Sequence, residues 1–306
     1  MTDLVIGKDD FSEELATRLK AELVKFEEET FADREKKSRL LLKSENQLKG
    51  KRVLLVARSN RYLPVPSDPA LETLFLLKEI KALGAKKIGL LWPWALYSRQ
   101  DERFRPGELL SLKSMAELLE HCGIEYFYTV HSHIYKKPVP LSKFFSSNVE
   151  VYDISPARLF VEYLKKKDLR NCIVVTPDEE GEGRVREISE PLNCDFRCLP
   201  KTRDCETRKI EIDFGDLDVR GRDVIIKDDI AASGGTIVDT YNGIKKMGPR
   251  KVYIVLDHLH TLEGIERLCG LGAEEIITTN SFVNETKRPK YFTELNLVPL
   301  LAEVIK

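Results

Sequence analysis

The clearest chemical signal in the chain is the stretch 224–239, VIIKDDIAASGGTIVD. Val224, Ile225 and Ile226 make an apolar run of strand character, and two carboxylates, Asp228 and Asp229, follow where that strand is expected to turn sharply. Small residues, Ala231, Ala232, Ser233, Gly234 and Gly235, then lead through Thr236 into a helical pattern. A loop of this kind suits an anion: glycine lets the backbone approach, successive N–H groups face the ligand, and the helix N-terminus carries partial positive charge. The carboxylates do not suit a phosphate. They suit hydroxyl groups or a magnesium ion, and phosphate donors beside hydroxyl acceptors describe the 5-phosphate and 2,3-diol of a ribose phosphate. A Gly-Gly turn alone is ordinarily a plain strand-to-helix connection, and acidic residues often cap helices. Asp-Asp, four residues, then Gly-Gly-Thr directly after an apolar strand is a more specific pattern than either.

The elements that must position this loop follow from periodicity. Phe11, Leu15, Leu19 and Leu23 recur four apart and predict a helix over 11–23, with Asp10 and Glu13 as its capping box. The charged stretch 27–43 fits exposed strands or a helix and is left open between them. Buried strands are expected at 52–58, 87–92 and 126–130, and helices at 70–83 and 111–122 that end at Gly84 and Gly123. The rhythm then repeats: helix 156–167, strands at 172–176, 196–199, 224–227, 252–256 and 275–279, and helices at 183–190, 236–247 and 261–270. Strands alternating with helices imply parallel sheets covered on both faces. Two runs of similar length imply two related α/β domains, 1–150 and 151–290, joined near 149–155, with a closing C-terminal helix, 291–306, that joins the first.

Ligands of such sheets lie beyond the carboxyl ends of the strands, and polar clusters fall there. Pro93-Trp94-Ala95-Leu96-Tyr97-Ser98-Arg99-Gln100-Asp101 follows Trp92, His131-Ser132-His133 follows Val130, Thr176-Pro177-Asp178 follows Val175, and Lys201-Thr202-Arg203 follows Leu199. Taken singly, each has a plain reading. Lys201 and Arg203 are two bases among 49 Lys and Arg, His133 and Asp178 suit turns, and Trp94 and Tyr97 suit a core. Their ordered occurrence at successive strand ends is what argues for a site.

Composition narrows the class. The 306 residues are 42% hydrophobic and 32% charged with a net charge of −1, which fits a globular protein and gives no bulk attraction to nucleic acid. The six cysteines form no CxxC pair and no zinc-spaced cluster, so reduced thiols are expected, with Cys172 in the core. No apolar run reaches transmembrane length, and the N-terminal residues lack the pattern of a signal peptide. No membrane partner is expected.

At these residues the chain resembles the ribose-phosphate pyrophosphokinase (PRPP synthetase) family, nearly end to end and in order. The family's Phe-x-Asp-Gly-Glu segment reads here Phe31-Ala32-Asp33-Arg34-Glu35. Its Pro-x3-Tyr-x-Arg-Gln-Asp block is Pro93, Tyr97, Arg99, Gln100 and Asp101, followed by Phe104, Pro106 and Glu108. Its Val-Asp-Leu-His turn is Val130-His131-Ser132-His133, its Ser-Pro-Asp turn is Thr176-Pro177-Asp178, and its basic loop pair is Lys201 and Arg203. The resemblance implies two tandem type I phosphoribosyltransferase-like domains, each a mostly parallel sheet flanked by helices. It implies transfer of the pyrophosphoryl group of ATP to the 1-hydroxyl of ribose 5-phosphate, giving PRPP and AMP with Mg2+, in the cytoplasm. It implies that Phe31, Asp33, Glu35, Arg99, Gln100 and Asp101 bind ATP, with the first three reaching the adenine of a neighbouring subunit, so that the protein is at least a dimer. Lys201, Arg203 and His133 would be catalytic, and His133 and Asp178 would meet the metal. Asp228, Asp229, Ala232, Ser233, Gly234, Gly235 and Thr236 would hold the ribose phosphate.

The chain also departs from the pattern. His131 replaces the family's Asp, Arg34 replaces a Gly, and Glu102 stands where a basic residue is common. Glu179, Glu180 and Glu182 make the turn after Asp178 more acidic, and Ser233 and Ala232 replace the usual Thr and an acidic or Ser residue. These changes fit a diverged branch. A regulatory paralogue without catalysis and a PRPP-consuming phosphoribosyltransferase remain alternatives. The retained Lys201, Arg203, Asp228 and Asp229 argue against the first, and the Arg99-Gln100-Asp101 block and doubled domain argue against the second.

Overall fold

The computed structural model describes residues 2–33, 35–59, 67–135, 139–203, 210–283 and 291–305; of Ser67, Asp68, Lys201–Arg203, Ile210 and Glu211 it describes the backbone alone. Arg34 lies outside the described residues. The chain divides into two compact units, one made of Met1–Ser59, Leu63–Ile154 and Leu297–Lys306, the other containing Ser155–Asn296.

In the first unit the elements are β1 (Leu4–Ile6), α1 (Asp10–Leu19), β2 (Glu22–Val24), β3 (Phe26–Thr30), β4 (Lys36–Leu40), β5 (Arg52–Val56), α2 (Ser67–Ala82), β6 (Lys87–Leu91), α3 (Ser111–His121), β7 (Tyr126–Val130) and β8 (Glu150–Ile154). Six strands form one sheet in the order β2-β1-β5-β6-β7-β8, every neighbouring pair parallel. The remaining two, β3 and β4, form a separate antiparallel hairpin. β5, β6 and β7 are almost wholly buried, as near-continuous apolar runs covered on both faces should be.

The second unit comprises α4 (Ala157–Leu164), β9 (Ile173–Thr176), α5 (Glu182–Leu192), β10 (Asp195–Cys198), β11 (Lys201–Arg203), β12 (Ile210–Ile212), β13 (Asp223–Ala231), α6 (Gly235–Lys246), β14 (Lys251–Leu259), α7 (Leu262–Cys269), β15 (Glu275–Thr279) and β16 (Phe292–Leu295). Its sheet runs β10-β9-β13-β14-β15-β16, again all parallel. The hairpin β11–β12 stands apart from it. Counted within each unit, the strand order is the same, and each hairpin is inserted between the second and third sheet strands. The core lies on both faces of each sheet. In the second unit, Val175, Val224, Ile226, Ile254 and Ile276 pack on one side, and Val174, Ile225, Val255 and Ile277 pack on the other.

Several sequence expectations need correction. The first helix stops at Leu19, with Lys20 in the left-handed conformation, and Leu23 belongs to a strand. Its cap is Asp9, whose carboxylate accepts from the Ser12 amide at 3.0 Å, rather than the Asp10–Glu13 box. The charged stretch 27–43 is resolved in favour of strands. The segment 291–306 is not one helix: Phe292–Leu295 is the edge strand β16, and only α8 (Val298–Val304) is helical. α8 packs against α1. Cys172 and Cys194, just before the adjacent strands β9 and β10, form a disulfide with Cα atoms 5.1 Å apart, against the expectation of reduced thiols throughout. Among the described residues no helix is long and apolar enough to cross a membrane.

Candidate functional site

In the second unit the connections from β9 and β13 leave the sheet where its strand order reverses. This is the switch point at which sheets of this kind open a crevice. β13 does not turn at the carboxylates. It continues through them to Ala231, paired in parallel with β14 from Asp223↔Lys251 to Ala231↔Leu259. Pairing holds Asp228 and Ile230 on either side of Asp229, and each carboxylate also accepts from the next amide: Asp229 N to Asp228 Oδ1 at 2.9 Å and Ile230 N to Asp229 Oδ1 at 2.7 Å.

The loop after β13 is braced from α7. Thr261 caps α7 by accepting from the Gly264 amide at 3.0 Å, and its hydroxyl donates to the Ala232 carbonyl. A Cβ on Gly264 would stand 2.4 Å from the Ala232 oxygen, so only glycine allows this approach. Gly234 has φ +75°, the left-handed value that favours glycine, and it begins α6 without a side-chain cap. The first amides of a helix have no intrahelical acceptor. Those of Gly235 and Thr236 therefore present donors and positive dipole at the loop, with Ser233 exposed beside them.

Asp178 follows β9. Its carboxylate accepts from the Glu180 amide at 3.2 Å and pairs with Arg184 at 2.6 Å. Arg184 rises from the first turn of α5. Burial alone would push its guanidinium's pKa down, but Asp229, Asp178, Asp228 and Asp257 together outweigh that and raise it. Lys227 and Asp257 form a fully buried ion pair at 2.6 Å. Glu179, Glu180 and Glu182 are exposed, and Glu182 pairs with Arg186 at 2.7 Å, so these carboxylates do not gather on Asp178.

In the first unit, Arg99, Gln100 and Asp101 follow β6 in a loop entered through Tyr97, itself left-handed at φ 65°. Trp94 is buried, as a core residue should be. Arg99 and Gln100 are exposed. Ser111 donates to Gln100 Oε1 at 2.5 Å, and Glu108 gathers the Phe104 and Arg105 amides at 2.7 and 3.1 Å. This leaves Phe104 and Leu109 more than three-quarters exposed. After β7, His131 is buried and left-handed at φ 40°, and its amide donates to Ile154 O at 3.0 Å. Asp153 on β8 accepts from the amide and hydroxyl of Ser132, which holds the turn that carries the half-buried His133. Phe31, Asp33 and Glu35 lie exposed at the tip of the β3–β4 hairpin, closed by Phe31 N to Glu35 O at 2.9 Å and Glu35 N to Asp33 Oδ1 at 3.0 Å. Lys201 and Arg203 lie on β11, and their side chains are outside the described residues.

The structure thus brings Asp178, Asp228, Asp229 and the loop 232–236 to one sheet end, together with Asp257 and with Arg184, Lys227 and Thr261, the last three of which the sequence reading did not single out. The oxygen-rich donor set fits Mg2+, which is commonly held by one or two carboxylates together with substrate phosphates. Among the described residues no group of three or more His, Cys, Asp or Glu side chains is placed to hold a metal ion by itself.

A parallel sheet with an acidic third strand, a small-residue loop and an uncapped helix defines a phosphoribosyltransferase-type domain. Residues 6–123 match the N-terminal domain of ribose phosphate pyrophosphokinase, and residues 150–288 match the phosphoribosyl transferase domain. The chain is 31% identical to a ribose-phosphate pyrophosphokinase of Sulfolobus acidocaldarius over 90% of its own length and 91% of that protein's. It is 30% identical to the one from Sulfurisphaera tokodaii over 99% and 100%. Its fold is similar to that of phosphoribosylpyrophosphate synthetase from Mycobacterium smegmatis, with a TM-score of 0.83, 24% identity, and coverage of 99% of this chain and 97% of that one. The chain belongs to the ribose-phosphate pyrophosphokinase family and is an enzyme of that kind.

Proposed function

We propose that the chain transfers the pyrophosphoryl group of ATP to the 1-hydroxyl of ribose 5-phosphate, forming PRPP and AMP. The observation that carries this reading is the switch-point end of the second sheet, in a chain of this family. An uncapped helix N-terminus and glycine loop suit the 5-phosphate, and the adjacent carboxylates Asp228 and Asp229 suit the sugar hydroxyls. Gly234, Gly235, Thr236, Ser233 and Ala232 would supply the phosphate cradle. Asp178 would meet the magnesium, and His133 the ATP phosphates or the same metal. Phosphoryl transfer depends on positioning and on stabilising charge spread over the phosphate oxygens, to which Mg2+ contributes when bound. Lys201 and Arg203 would supply cations at the transferred group, and Arg suits bidentate phosphate contact.

Arg99, Gln100 and Asp101 would hold the nucleotide. Phe31, Asp33 and Glu35, on an exposed hairpin tip, would reach the adenine in a second copy, which makes the working form at least a dimer in the cytoplasm. Incubating the pure protein with ATP, Mg2+ and ribose 5-phosphate should yield AMP and PRPP in equal amounts. ATP consumption without AMP, or no turnover at all, contradicts this reading, and a screen of other sugar phosphates would then follow.

A further inference from the structure

Two cations built into the acidic end of the second sheet have no task in the reaction as assigned above. Arg184 has a side chain only 3% exposed, and its Nη2 lies 2.6 Å from Asp178 Oδ2. Lys227, 1% exposed, precedes the carboxylate pair on β13 and places Nζ 2.6 Å from Asp257 Oδ2 and 2.7 Å from the Asp228 carbonyl oxygen. Burying an ion is expensive, and well-packed apolar residues often replace a buried pair without loss of stability. Two such cations at one strand end are therefore better explained by the site than by the fold.

Charge and geometry point the same way. Asp178, Asp228, Asp229 and Asp257 all act on Arg184. Counted formally, these four carboxylates against Arg184 and Lys227 leave an excess of two, the charge of one divalent cation. Asp178 is also held from both oxygens, Oδ1 by the Glu180 amide and Oδ2 by Arg184. Lys227, through the Asp228 carbonyl, fixes the peptide that joins the two rim carboxylates.

We propose that Arg184 is a positioning residue for this enzyme: it aims Asp178 and, together with Lys227, sets the charge of the rim so that it accepts a single divalent cation with the sugar phosphate. This rests on assigning the rim to ribose phosphate and its magnesium. Arg184 acts through Asp178, and a planar fork holds a carboxylate in a way that a lysine amine does not.

The test is calorimetric titration of Mg2+ alone into folded wild type, Arg184→Gln and Arg184→Lys, with kcat and KM for ribose 5-phosphate measured on the same preparations. Arg184→Gln removes a charge beside the carboxylates and should bind Mg2+ about tenfold more tightly, or bind more than one ion. Its kcat should fall about 100-fold, because Asp178 is no longer aimed. Arg184→Lys keeps the charge, so its Mg2+ affinity should stay within about threefold of wild type while kcat still falls about tenfold. A purely structural role would lower the unfolding temperature of both variants and leave Mg2+ affinity unchanged. That result, or wild-type kcat in Arg184→Gln, overturns the proposal. Should Arg184→Gln fail to fold, Arg184→Lys decides: an unchanged kcat, or an Mg2+ affinity shifted more than about tenfold, overturns it. AMP formation by wild type tests the sugar assignment separately, so unchanged Mg2+ affinity in an active enzyme overturns the proposal and leaves that assignment standing.

Discussion

The two units share one strand order and one inserted hairpin, yet they treat the same sheet end differently. In the first unit the loop after the first strand carries Asp9, and Arg58, just past the third strand β5, ties it down at 2.5 Å while lying over the Phe11 ring. The acid caps α1 and its charge is answered within the sheet end. In the second unit the loop after the first strand carries Asp178, but the third strand brings two more carboxylates, and the answering Arg184 comes from a helix. One scaffold is closed by an ion pair; the other keeps an acidic rim beside an uncapped helix. The hairpins differ in the same sense, one tipped by Phe31, Asp33 and Glu35, the other carrying Lys201 and Arg203. Topology sets where chemistry can lie, and a handful of side chains at each strand end decides which chemistry it is.

Substitutions should therefore separate by unit. The largest effect is expected at the second hairpin, where Lys201→Ala should cost on the order of 10³-fold in turnover with little change in ATP binding, as removal of a cation from a transferring phosphoryl group does. Unchanged turnover would take β11 out of the mechanism. Next comes the acidic strand. Asp228→Asn, which would weaken the charge-assisted hydrogen bonds proposed to the sugar, should raise KM for ribose 5-phosphate about 10- to 100-fold and leave KM for ATP unchanged. A rise in KM for ATP instead would mean that the units are assigned the wrong way round. Phe31→Ala should do the reverse on a smaller scale, weakening ATP binding several-fold through loss of about 1 kcal/mol of stacking while sparing the sugar.

The smallest effect concerns how the first hairpin is held. Burial, and then the hydrogen bond to Glu28, lift Glu72 on α2 from 4.5 to about 6. The fold favours its protonated form, so that contribution is complete below about pH 4.5 and is lost as the pH rises through about 6. Glu72→Gln keeps a donor at every pH. Its unfolding temperature relative to wild type should therefore climb between pH 4.5 and 7; a constant difference would show that the two carboxylates do not share a proton.

Much of this was legible in the sequence. Apolar runs bounded by Gly84 and Gly123 marked strands and helices, and the Asp-Asp and Gly-Gly-Thr spacing marked the loop, because both depend on local pattern. What escaped depends on tertiary partners. Arg184 and Arg186 look alike in an acid-rich helix. Only the placement of Arg184 four residues before Ile188, on the face that buries Val185 and Ile188, signals that it turns inward while Arg186 pairs with Glu182 in solvent. Lys227 ends an apolar run, where a charge reads as the edge of a strand, and its partner Asp257 lies 30 residues away on β14. Thr261 looked like an ordinary helix start, and its second task, bracing the Ala232 carbonyl, exists only once β13 and β14 lie side by side. The charged stretch 27–43 hid a hairpin because an exposed two-stranded ribbon has no buried face to impose a period of two.

The division of labour between the units is tested most directly by amide hydrogen exchange with one substrate at a time. Ribose 5-phosphate with Mg2+ should slow exchange across residues 232–238 and leave residues 97–103 unchanged, and a non-hydrolysable ATP analogue should do the opposite. Protection of 97–103 by the sugar phosphate, with none at 232–238, would contradict the account.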